Sequence, residues 1–221
     1  MISALMSGNM VTIVLTAFSI LVMLFVVFPV HESSHALAAK LLGDDTADHM
    51  GRITLNPFAH LDIIGTIGIV LFRVGWAKPV PVNTARCRKI RSQKAAMAIV
   101  AAAGPMANIV SSLVFMIIEK ILMVTCPSSD MLYYVLMALE MIISIDLYNG
   151  VFNLLPIPPF DGSRVFLAFL PEKYYFKIMR YEQFIMYGLL ILMYTGILSI
   201  PFSFLSSALY SFLDLITKFI C

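Results

Sequence analysis

Long apolar runs alternate with short polar stretches along the chain, and the longest runs are long enough to cross a bilayer. Residues 10–30 hold no charged side chain, and about 20 such residues span the hydrocarbon core. The same pattern predicts a span over residues 95–118, and residues 132–155 are expected to cross back with Glu140 and Asp146 along the helix. Residues 183–213 are also uncharged, but Pro201 interrupts them, which predicts two further spans or one broken hairpin.

The stretch between the first two spans has a different pattern, because Gly, Pro, Asn and Asp recur throughout residues 43–83. Gly43 is expected to end the first helix, and Pro29 to kink it. The one apolar run here, residues 63–72, is too short for a comfortable crossing. It predicts a re-entrant segment or a short β-hairpin, with a tilted short helix from near His60 as the alternative.

This pattern predicts an all-α polytopic membrane protein of about five to six transmembrane helices, with a re-entrant or β-hairpin segment after the first. Composition supports it, since 60% of the 221 residues are hydrophobic, 13% are charged and the mean hydropathy is +0.91. We expect one transmembrane domain over residues 1–221, with a core at 10–165 and additional C-terminal helices at 183–219.

Positive charge gathers in two connectors and predicts their side of the membrane. Short basic loops favour the cytoplasm, so both connectors should face it. The net charge of +2 gives no indication of nucleic-acid binding. The three cysteines share no metal or disulfide spacing. The basic residues are Arg86, Arg88, Lys89, Arg91 and Lys94 in the first connector, and Arg164, Lys173, Lys177 and Arg180 in the second.

A candidate catalytic motif, His-Glu-Ser-Ser-His, closes the first apolar run. Residues four apart share a helix face, so His31 and His35 can bind one Zn²⁺ while Glu32 stands beside the metal-bound water. This is the spacing of a metallohydrolase. Ionisable groups inside a membrane span are costly and usually functional, which favours a catalytic interpretation over chance.

A catalytic zinc takes three protein ligands and leaves one position open for water, so a third ligand must come from elsewhere. Asp161 is one candidate, because it lies in a Pro-rich break before Gly162 where an interrupted helix can present a carboxylate inward. The other candidates are His60, Asp62, Glu140 and Asp146.

Taken together, these motifs resemble the site-2 protease family of intramembrane zinc metalloproteases (peptidase M50). The resemblance covers residues 27–165. Within the family, the chain is similar to the compact form that has no PDZ or CBS domain. The chain departs from the family pattern in two places, with Ser34 where Gly is common and with Pro159-Phe160 ahead of Asp161. The matching segments are HESSH, GRITLNPFAHLDIIGT, GWAKPVPVN, AGPMAN and NGVFNLLPIPPFDGSRV.

The resemblance implies a ligand set and roles for individual residues. His31, His35 and Asp161 would hold one zinc per chain, and Glu32 would be catalytic. Asn153 and Asn108 would contact the substrate. Ser34 is expected to hydrogen-bond back to a helix carbonyl.

The same resemblance implies an endopeptidase that cleaves peptide bonds in or near transmembrane segments of other membrane proteins. Its partners would be those substrates and the lipid bilayer, with no nucleic acid, and it would lie in the cell membrane with its site toward the cytoplasmic leaflet. The alternative is a catalytically silent membrane protein that keeps the fold and binds partners. The complete set of Glu32, both histidines and Asp161 favours the enzyme.

Overall fold

The computed structural model describes residues 8–72, 75–197 and 199–220. Its first helix, α1, spans Met10–Leu42. Asn9 caps the start, accepting hydrogen bonds from the backbone N–H groups of Val11 and Thr12. Gly43 ends the helix in the left-handed region, with φ 105°. The predicted first span and its stop at Gly43 are confirmed.

The irregularity expected at Pro29 occurs one turn earlier, as a π-helical turn over Met23–Val27. Proline has no N–H to donate and its ring crowds the preceding turn. A wider turn just before it accommodates both effects. The α-helix resumes over Phe28–Leu42, and this half carries His31 and His35.

After α1 the chain forms short elements rather than a span. The helix α2, Ile63–Phe72, has 10 residues, about 15 Å at 1.5 Å per residue and half of a bilayer core. Leu61 and Ala77 form an isolated antiparallel bridge, and Lys78 donates its N–H to the His60 carbonyl at 2.8 Å. The described residues of this stretch form no β-hairpin beyond this one bridge.

Two long helices build the centre of the molecule, α3 over Gln93–Thr125 and α4 over Asp130–Asn153. Serine caps both starts, Ser92 for α3 and Ser129 for α4. Both helices begin two residues earlier than predicted, at Gln93 and Asp130. The helix α3 packs against both α1 and α4 and is therefore the shared element of the fold.

In the part of the chain that the structure describes, four helices follow α4, and the interruption between the last two differs from the prediction. They are α5 (Asp161–Leu167), α6 (Glu172–Arg180), α7 (Glu182–Tyr194) and α8 (Ser199–Thr217). The expected interruption at Pro201 was wrong, since Pro201 lies in the first turn of α8. A proline is tolerated there because that N–H has no partner in the helix. The turn lies at Gly196, whose φ of 74° favours glycine.

Among the described residues, four helices are long and apolar enough to cross a membrane: α1, α3, α4 and most of α8, Ile200–Thr217. The expectation of five to six transmembrane helices also counted shorter apolar segments. One of these is α7, which has 13 residues. The all-α membrane fold is confirmed.

Two apolar clusters hold the helices together. In one, Ile20, Leu24 and Phe28 of α1 pack with Ile69 of α2. The other joins α3, α4 and α8 through Met116, Ile143, Leu147 and Leu213. Buried polar side chains gather between α1, α3 and α4, and they form the site described next.

Candidate metal centre

His31, His35 and Asp161 converge on one point. The histidines lie on the buried face of α1, and Asp161 begins α5 just after the loop that follows α4. His31 Nε2 is 2.9 Å from Asp161 Oδ2, His35 Nε2 is 3.3 Å from the same oxygen, and the two Nε2 atoms are 3.1 Å apart. Ligands about 2.1 Å from a tetrahedral zinc lie about 3.4 Å from one another, so the spacing fits.

The opposite ring nitrogens show which atoms are free to bind a metal. His31 Nδ1 donates to Asn108 Oδ1 at 2.5 Å, and His35 Nδ1 donates to the Val100 carbonyl at 2.7 Å. With the protons on both Nδ1 atoms, both Nε2 lone pairs face the Asp161 carboxylate. Three electron-pair donors therefore meet at one point, which is the donor set of a zinc site.

The loop before α5 brings Asp161 to the histidines. A Cβ at Gly162 would overlap the Leu154 carbonyl, so this close turn at the end of α4 requires glycine. Asp161 is mostly buried, and burial opposes its ionisation. When the rings of His35 and His31 are protonated, their charge outweighs that effect and holds the pKa of Asp161 well below its usual range, and a bound metal cation would favour the charged carboxylate in the same way.

A second glycine lets α3 approach the two imidazoles. A Cβ at Gly104 would lie 2.5 Å from His35 Nε2 and 2.7 Å from His31 Cε1. Pro105 is fully buried beside it. The Gly104-Pro105 pair therefore allows α3 to pack closely against the candidate ligands themselves.

Glu32 lies on the same helix as the histidines but points to the 75–83 segment. Val80 donates its N–H to Glu32 Oε2 at 3.2 Å. The buried Arg52 interacts electrostatically with Glu32 and donates to the Lys78 carbonyl. Burial lowers the pKa of Arg52, and Glu32 opposes that effect. The Glu32 carboxylate is therefore held beside the cluster and is not one of its three members.

The structure places the other candidate third ligands away from the cluster. His60 is buried with Nε2 donating to the Thr54 carbonyl at 2.8 Å, a bond that stays within the 43–83 segment. Asp62 caps α2 by accepting from the Gly65 N–H, and Glu140 is exposed on α4. Asp146 lies behind His31, where Asn108 and Ser111 donate to its carboxylate.

Two asparagines were expected to contact substrate. Asn108 is 0% exposed and its amide bonds to protein groups on both sides, His31 and Asp146. The structure therefore gives it a positioning role that sequence reasoning missed. Asn153 is half-buried and donates to the Asn149 carbonyl one turn earlier at 3.0 Å. A substrate contact for Asn153 stays a prediction.

Ser34, where the family pattern commonly has Gly, forms the predicted back-bond. Its hydroxyl donates to the Val30 carbonyl at 2.7 Å. That bond stays within α1 and leaves both histidines in place.

Fold and site together define an all-α membrane protein with a buried His-His-Asp cluster of metal-binding geometry. Over 169 residues the chain is 36% identical to "Putative zinc metalloprotease YwhC" of Bacillus subtilis (strain 168), and the alignment covers 75% of each protein. The chain therefore belongs to the same family as that protein. No family model and no solved structure matches it.

Proposed function

We propose that this protein is an intramembrane zinc endopeptidase of the site-2 type, which hydrolyses peptide bonds in or near transmembrane segments of other membrane proteins. One observation carries the proposal: ligand atoms of His31, His35 and Asp161 lie within 4.8 Å of one another, inside a helix bundle able to cross a membrane. The family relationship to a protein named as a zinc metalloprotease supports the choice of metal and reaction.

His31, His35 and Asp161 would hold one zinc per chain, leaving a position for water. Bound zinc supplies a Lewis acid that polarises the scissile carbonyl and makes water acidic enough to attack near neutral pH. The protein supplies orientation, since Asn108 and Val100 fix the two rings from behind.

Glu32 is the proposed general base. It accepts a proton from the attacking water and delivers it to the leaving amine, which a single carboxylate can do in sequence. The Val80 N–H and the Arg52 side chain hold this carboxylate beside the three ligands. Because Glu32 sits one residue after His31, the helix itself keeps the base near the reaction.

The substrate segment must be extended, because a helix hides its carbonyls in internal hydrogen bonds. We propose that water and unwound substrate reach the cluster through the breaks at 43–65 and 156–162. Asn153, at the end of α4, would bond the substrate backbone.

We place the enzyme in the cell membrane with the site toward the cytoplasmic leaflet. The two basic connectors flank the α3–α4 hairpin, and short basic loops favour the cytoplasmic side. Asp161 follows the end of α4 on that same side.

The first experiment compares four proteins purified in detergent for zinc content and for cleavage of a model transmembrane substrate. Wild type should hold about one zinc per chain. Asp161→Ala should lose zinc, and Glu32→Gln should keep zinc and lose cleavage by at least about 100-fold. Glu140→Gln is the control, because it removes an exposed carboxylate of α4 that lies outside the cluster.

The competing function is a silent binding protein that retains this fold. It predicts that Glu32→Gln changes nothing, since partner binding needs no proton transfer. Wild-type protein without zinc, or cleavage untouched by Glu32→Gln, would contradict the protease.

A further inference from the structure

We infer that Asp146 is a positioning residue that fixes the tautomer and orientation of His31 as a metal ligand, acting through the side-chain amide of Asn108. This inference rests on the proposed zinc site, because it explains how one of its ligands is prepared. The three side chains come from three helices, α1, α3 and α4, and form one buried chain of hydrogen bonds.

The first link joins His31 to Asn108, with 2.5 Å between Nδ1 and Oδ1. An asparagine amide offers an oxygen that accepts and a nitrogen that donates, at similar positions. If the amide were reversed, its nitrogen would face His31 Nδ1 and force the ring proton onto Nε2. That proton would then point at His35 Nε2 and Asp161, and His31 could not bind a metal.

The second link decides which way the amide faces. A carboxylate can only accept, so Asp146 Oδ1 selects the orientation in which Asn108 Nδ2 donates to it. In that orientation Asn149 Nδ2 also donates to Asn108 Oδ1, at 3.4 Å. The Asn108 oxygen is therefore directed toward His31.

The position of Asp146 supports a functional reason for its charge. It is 0% exposed in a helix able to span the membrane, where a carboxylate is costly. The Ser111 hydroxyl donates to its second oxygen, so both oxygens have donors. The carboxylate is thus directed at the ligand network rather than at lipid or solvent.

A residue exchange tests this inference, with zinc affinity measured by chelator competition and Co²⁺ absorption spectra as the readouts. Asn108→Asp places two carboxylates against each other and should weaken zinc binding by about 100-fold, and Asp146→Asn by about 10-fold. In the double variant, the carboxylate introduced on α3 accepts from His31 and from the amide introduced on α4, whose oxygen accepts from Ser111. Affinity should then return to within several-fold of wild type.

The inference predicts that Asp146→Asn lowers zinc affinity in the wild type but raises it in the Asn108→Asp protein. A role for Asp146 in packing alone would lower the stability of the fold and leave the zinc affinity and the Co²⁺ spectrum of the folded protein unchanged. Glu140→Gln, which removes another carboxylate of α4, should leave zinc affinity unchanged. A double variant that binds no tighter than Asn108→Asp, or single variants that bind as wild type, would overturn the inference alone. Wild-type protein that binds no zinc would overturn it together with the proposed protease.

Discussion

Two clusters of ionisable side chains lie along α3, and they are built differently. Near Gly104 and Asn108, the helix packs against two imidazoles and the Asp161 carboxylate. About three turns later, Lys120 pairs with Asp214 of α8, at 2.7 Å between Nζ and Oδ1. Lys120 also donates to the Asp214 backbone carbonyl at 3.2 Å.

The difference lies in where the positive charge comes from. The second cluster contains its own cation, so the Lys120–Asp214 pair is complete and ties α8 to α3. In the described part of the chain, the first cluster directs three electron-pair donors at one point and fixes two of them from behind. The first arrangement has the geometry to bind a further cation, whereas the second stabilises helix packing. Charge inside a membrane bundle therefore indicates a reactive site only when its partners leave a coordination position open.

The largest expected effect comes from filling the space that α3 leaves for the ligands. Gly104→Ala places a Cβ 2.5 Å from His35 Nε2, so the ring must move. A displacement of this size should lower zinc affinity and cleavage by about 100-fold or more. Chelator competition and the cleavage assay measure both. Gly188→Ala is the matched control, because a Cβ at Gly188 meets nothing within 4 Å; equal losses in both variants would refute the steric explanation.

Breaking the second cluster should change stability and leave the metal site alone. Lys120→Met removes the interhelical ion pair and should lower the free energy of unfolding by about 0.5–2 kcal/mol. Zinc affinity should stay within about twofold, because the ligands are fixed by other residues. A double-mutant cycle with Asp214→Asn isolates the pair. A large drop in zinc affinity for Lys120→Met would show that the clusters are coupled.

Asp44 lies outside the membrane-spanning helices, and its ionisation can be compared with that of the carboxylates in both clusters. Asp44 is buried, and burial opposes its ionisation, but hydrogen bonds from Thr46 and the Asn83 N–H lower its pKa. A lowered folded-state pKa stabilises the protein above pH of about 4, and that contribution is lost as the pH falls further. Asp44→Asn should therefore be most destabilising near neutral pH.

Unfolding measured from neutral to acidic pH tests this expectation, with the exposed neighbour Asp45→Asn as control. The difference in free energy of unfolding between wild type and Asp44→Asn should become smaller as the pH drops toward the folded-state pKa of Asp44. If this difference became larger on acidification, the lowered pKa of Asp44 would be contradicted.

The smallest effect is expected at Ser34. Its hydroxyl bonds only to the Val30 carbonyl of the same helix, so Ser34→Ala should alter stability by less than about 0.5 kcal/mol. Cleavage and zinc affinity should stay within about twofold of wild type. A tenfold loss of activity would show that this hydroxyl takes part in the site.

Local features of the molecule could be predicted because their causes are local. Apolar runs predict the spans, the four-residue spacing of His31 and His35 predicts a shared helix face, and Gly43 predicts the end of α1. The break at Gly196 was misplaced at Pro201, because a proline in the first turn of a helix and one that interrupts a helix look alike in a sequence.

Tertiary structure decided which distant side chains meet. The residues alone left His60, Asp62, Glu140, Asp146 and Asp161 open as third ligand, and family resemblance favoured Asp161. Asp161 contacts a histidine 130 positions earlier, so the contact depends on how α1, α3 and α4 rotate against one another. The same rotation places Asp146 behind His31, with Asn108 between them. Helical periodicity determines which residues share a face, but only packing between helices determines which faces meet.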